Sequence, residues 1–143
     1  FTQSPGYVTI TAEMVHDTRI VKITDERSAA AETHRKWMGD AIGHWEGDTL
    51  VVQTKYFNNW HTLRGMPVNN MTVTETFRRE SGNKLIYGFT VDDPTLFTST
   101  FSGEYPLSRI NEPIYEYACH EGNYGMIGIL AGARKLEELE RED

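Results

Sequence analysis

A chain of 143 residues has about the length of one ordinary domain, and it is long enough to bury a core without disulfides or metals as staples. A formal net charge of -7 repels phosphate backbones, so nucleic acid is excluded as the expected partner. With 38% hydrophobic residues and no run of about 18 apolar ones, no transmembrane segment is expected.

From the start of the chain, Val8, Ile10, Ala12 and Met14 alternate with Thr9, Thr11 and Glu13, the period of a strand with one buried face. Thr18 to Thr24 reads as a second strand. From Asp25 to Arg35 charged residues and three alanines replace the apolar pattern, which predicts a solvated loop or a short surface helix. Ala41 to Glu46 and Thr49 to Phe57 flank Gly47-Asp48, a pair with the backbone freedom of a tight hairpin turn. Asn58 to Asn70 reads as a long connection, of the kind often found to be functional or mobile.

Met71 to Arg79 and Lys84 to Val91 form a second expected hairpin around Ser81-Gly82-Asn83. Its inward face is Leu85, Tyr87, Phe89 and Val91, and Asp92-Asp93-Pro94 stops it. Phe97 to Leu107 and Ile114 to Cys119 complete seven or eight strands. Beyond His120 the period lengthens: Met126, Ile129, Leu130, Ala133 and Leu136 mark one apolar helical stripe. A helix over about 123–140 follows, with Asn123 as its N-cap and the sheet, or the end of a barrel, as its cover.

The expected whole is one mostly β domain over residues 1–143 with one C-terminal helix. An antiparallel meander closing into a calycin-like barrel, or a strongly bent sheet, removes or shields exposed edges.

Glu75 stands in the inward series Met71, Val73, Glu75, Phe77, where an unpartnered carboxylate would cost several kcal/mol. Two readings follow: neutralisation by an arginine such as Arg64, Arg78, Arg79 or Arg109, or a pocket acid or base. His44 and Glu46 share a strand face, a spacing that suits a hydrogen-bonded pair or two metal ligands. A divalent metal would need His16, His61 and His120 to converge, since no high-specificity ligand spacing occurs. The G-x-S-x-G elbow, the P-loop and the G-x-G-x-x-G fingerprint are absent from the sequence. Trp45, Trp60, Tyr117 and Tyr124, with Asn123, could line a pocket for a sugar ring or planar ligand, the alternative being that the aromatics form core. Cys119, the lone cysteine, excludes an internal disulfide and leaves the compartment open.

Two segments carry a resemblance: Gly43-His44-Trp45-Glu46-Gly47-Asp48-Thr49-Leu50-Val51-Val52, and Pro113 through Tyr124 with Tyr115-Glu116-Tyr117-Ala118-Cys119-His120-Glu121-Gly122-Asn123 at its heart. From about Gly6 to Arg134 the chain resembles a family of uncharacterised, often exported bacterial proteins with a G-x-W-E-G-D-T-L-V-V hairpin and a Y-E-x-A-C-H-E-G-N-Y segment. The resemblance implies an extracytoplasmic location, periplasmic or secreted, and carries no activity with it. A start at Phe1 rather than Met fits an upstream segment that has been removed. It draws attention to Glu46, Asp48, His120, Glu121 and Asn123, while members with arginine in place of His44 speak against a His44/Glu46 ligand pair.

The leading functional expectation is an enzyme acting on a small molecule or carbohydrate, with His120, Glu121 and Glu75 as acid/base groups, alone or beside a metal. The rivals are a non-catalytic ligand-binding barrel and an interaction module of an exported assembly, for which oligomers are expected.

Overall fold

Alternation of apolar and polar residues builds the sheet one strand at a time, and a computed structural model describes residues 1–117 and 124–142 of the result. The strands are β1 (Thr2–Ser4), β2 (Tyr7–Thr11), β3 (Thr18–Ile23), β4 (Asp40–Glu46), β5 (Thr49–Lys55), β6 (Thr62–Leu63), β7 (Met66–Pro67), β8 (Thr72–Ser81), β9 (Lys84–Asp92) and β10 (Phe101–Ser108), followed by the helix α1 (Tyr124–Glu142). Among the described residues eight strands form one mixed sheet in the order β1-β2-β3-β4-β5-β8-β9-β10, strongly curled into a half-barrel. This is the bent-sheet form of the expected architecture.

Both expected central hairpins are present. Gly47-Asp48 connects β4 to β5, with Gly47 at φ +62, the left-handed value a primed two-residue turn needs at its first central position. β8 pairs with β9 from Thr72↔Asp92 to Ser81↔Lys84, with a bulge between Arg79 and Ser81. After β9, the backbone N–H and hydroxyl of Thr95 donate to Asp93 Oδ1 at 2.9 and 2.6 Å, an aspartate turn that ends the strand.

One joint departs from a meander, because β3 and β4 run parallel through Lys22↔Ile42 and Ile23↔Gly43. A parallel pair needs a crossover of about a dozen residues or more, and residues 24–39 supply it. Its charged residues are anchors as well as solvated ones. Arg27 donates to Asp40 and, at 2.8 Å, to the Gln53 carbonyl, while Arg35 donates to the Asn69 carbonyl at 2.7 Å. Both guanidinium groups lie against the Tyr56 ring, 5.9 and 5.5 Å from its centroid.

The inner face of the half-barrel carries the core. Val8, Val21, Ala41, Leu50, Val52 and Phe77 form its main cluster. A second cluster, Val68, Met71 and Val91 with Phe57, Leu96 and Phe97 around them, fills the end under the long connection. The opposite end, where the β4–β5 and β8–β9 turns lie, is open among the described residues.

Two expectations are corrected. Residues 114–117 lie outside any strand, although Tyr115 and Tyr117 alternate, because β10 has no further strand beside it among the described residues; 118–119 fall outside those residues. The helix forms over Tyr124–Glu142, but each of its described side chains is exposed, so it neither lies on the sheet nor plugs the barrel. The inner face is instead occupied by the sheet's own aromatics, with Tyr87 between Phe77 (5.1 Å), Phe89 (6.0 Å) and Tyr105 (5.1 Å). No helix of the described residues is long and apolar enough to cross a membrane.

Candidate functional site

The register lines the inner-face residues up in rows. One row runs Ile23, Gly43, Val52, Glu75, Phe89, Gly103, so Glu75 sits at mid-height among apolar neighbours, as its alternation predicts, and is 5% exposed. The next rows toward the open end are Trp45, Leu50, Phe77, Tyr87, Tyr105, and then Arg79, Leu85, Leu107.

Glu75 is neutralised by an arginine, and that arginine is Arg19. One guanidinium nitrogen donates to Oε2 and the other to Oε1 at 2.9 Å, while the Tyr87 hydroxyl donates to Oε1 at 2.9 Å. None of the four expected arginines is the partner. Arg78 points to the outer face, and Arg79 is two inner-face positions away along the same strand. β3 and β8 are three strand spacings apart, about 14 Å in a flat sheet, so the pair depends on the curl. Gly43 helps between them: a Cβ there would come within 2.8 Å of the Val51 carbonyl oxygen and 3.0 Å of the Val21 side chain. The overlooked signal is the series Arg19, Val21, Ile23, which places an arginine on the inward face of β3.

The electrostatics follow from this closure. Burial works against the charge of Arg19, yet the hydrogen bonds and charge of Glu75 overcome it and hold its pKa above the ordinary value. Burial, then the Glu75 charge and its hydrogen bond, raise the Tyr87 phenol well above its usual 10.0. The carboxylate thus accepts three charge-assisted or phenolic hydrogen bonds and is committed to the fold.

At the open end lies a cavity of about 760 Å³. Its floor is Val8, Leu50, Phe77 and Leu85, and its walls are the rings of Phe1 and Trp45. Phe1 meets Phe77 edge-on at 5.1 Å. Asp48 from the β4–β5 turn and Arg79 and Glu80 from the bulged end of β8 stand at its rim.

Of the expected ligand-binding aromatics, Trp45 lines this cavity. Trp60 lies on the long connection, 82% exposed, and Tyr124 begins α1, 80% exposed. Tyr117 lies past β10, in the segment outside the strands. His120, Glu121 and Asn123 fall outside the described residues. His16 occupies the β2–β3 turn at φ +47, whereas His61 is on the long connection, donating from Nδ1 to the Trp37 carbonyl oxygen at 2.9 Å and leaving only Nε2 for another partner. Among the described residues no three His, Cys, Asp or Glu side chains are grouped to hold a metal ion. His44 and Glu46 do meet, Nε2 to Oε1 at 3.1 Å, on the exposed outer face.

Comparison with protein-family models, curated proteins and solved structures finds no match for this chain.

Proposed function

We propose that this chain is a non-catalytic binding half-barrel whose open end takes a small apolar or aromatic ligand. The observation that carries the reading is the cavity of about 760 Å³, within the size range of small-molecule sites, with an aliphatic and aromatic floor, two aromatic walls and a few charges at the rim. A sugar ring could use the same walls by stacking its apolar face on Trp45.

The enzymatic reading built on His120, Glu121 and Glu75 finds less support. Glu75 is saturated by Arg19 and Tyr87, and acid/base work would first have to break those bonds. The interaction-module reading draws on one observation, the exposed apolar stripe of α1, with Ile129 and Leu136 both more than 60% exposed.

The test is a fluorescence titration with the neutral apolar fluorophore N-phenyl-1-naphthylamine. Saturable binding is expected, weakened roughly fivefold by Trp45→Ala and unchanged by Trp60→Ala. Absence of saturable binding, or equal loss in the two variants, would remove the cavity from consideration.

A further inference from the structure

We infer that the ligand of the open-end cavity is an aromatic anion, a flat apolar body bearing a carboxylate or sulfonate, and that Arg79 receives the charge; this rests on the cavity being a binding site. Arg79 lies on the inner face one row beyond Phe77, opposite Leu85, and lines the cavity. Among the described residues its side chain makes no ion pair and no hydrogen bond. Its neighbour Glu80 turns to Lys84 instead, with Oε2 at 2.7 Å from the Lys84 ammonium. Glu80 is the residue at the bulge, and bulges re-aim side chains, so this irregularity brings consecutive residues, Arg79, Glu80 and Ser81, to one rim.

Arg19, by contrast, has both terminal nitrogens on Glu75. Among the described residues, Arg79 therefore brings an unmatched guanidinium to an inner face on which Arg19 and Glu75 are paired with each other. A planar fork of donors suits a carboxylate or sulfonate better than it suits a neutral polar group. Asp48, on the β4–β5 turn, is a further charge at the rim that forms no ion pair among the described residues. It repels an anion placed near it, which orients the ligand with its head toward the β8–β9 turn and its ring between Trp45 and Phe1. The chain's net charge of -7 disfavours anions at long range, so such binding would depend on this local contact.

The experiment compares two probes with the same rings, 8-anilinonaphthalene-1-sulfonate and neutral N-phenyl-1-naphthylamine. The wild type should bind the anion roughly fivefold more tightly. Arg79→Gln should abolish that advantage while leaving the neutral probe unaffected, which also reports an intact cavity; Arg79→Lys should restore part of it, and Asp48→Asn should increase it. Equal binding of the two probes by the wild type, or an anion preference that survives Arg79→Gln, overturns the inference and leaves the cavity reading standing. Failure of both probes to bind overturns both.

Discussion

Two arginines on the same curved face have opposite fates. Arg19, at mid-height, is paired through both nitrogens with a carboxylate that also accepts from Tyr87, and its side chain is 17% exposed. Arg79, at the open end, lines a cavity with its charge unmatched. Depth on the sheet separates them. An unpaired charge in the middle would carry the full desolvation penalty, whereas at the rim water screens it, so only the rim position can keep a charge in reserve for a ligand.

The largest expected effect tests the closed side of this comparison. Glu75→Ala leaves Arg19 partly buried with no carboxylate and should destabilise the fold by about 3–5 kcal/mol in urea unfolding. Combining Arg19→Met with Glu75→Leu should recover most of that loss, since removing both charges removes the penalty together with the attraction. A Glu75→Ala variant as stable as wild type would mean that the central pair contributes nothing and that the two arginines are not different in kind.

Tyr87→Phe should cost less, about 1–3 kcal/mol, because it removes one hydrogen bond to a charged acceptor and leaves the ring packing in place. Its pH dependence has a definite sign. The phenol's pKa is raised in the folded state, so below about pH 10 both folded and unfolded chains keep the proton and the full contribution is present. As pH rises past 10 toward the raised value, the unfolded chain loses its proton first and the contribution declines. The stability gap between wild type and Tyr87→Phe should therefore stay constant up to about pH 10 and narrow above it, measured by parallel denaturant curves. A gap that stays constant or widens would place Tyr87 outside the closed network.

How much of this was legible in the sequence depends on whether a feature is local. Alternation put Glu75, Phe77 and Tyr87 on the inward face, and Gly47-Asp48 marked a real turn. Periodicity assigns a face to each residue, yet it says nothing about which residues on different strands a curled sheet brings together. Arg19 and Glu75, 56 positions apart, meet only through that curl, whereas sequence proximity points to nearer arginines. The helix failed in a related way: its stripe revealed a period, but a stripe does not name its cover, and α1 has none among the described residues. Trp45 was found with the other aromatics, and only the three-dimensional position of the β4–β5 hairpin separated it from Trp60 and Tyr124.

The smallest expected effect is also the one that sharpens the comparison most. Arg79→Gln should change unfolding free energy by less than about 0.5 kcal/mol, the usual range for an exposed residue that supports no contact. Its anion preference, by the argument from the rim, should nevertheless disappear. Stability and binding would then separate at Arg79, whereas at Glu75 any loss of binding would come with the loss of the fold. If Arg79→Gln instead lowered stability by more than about 1 kcal/mol, the guanidinium would be holding the open end together, most directly through its stem across Phe77 and Leu85. Both arginines would then be structural, and the cavity would have only Trp45 and Phe1 with which to recognise a ligand.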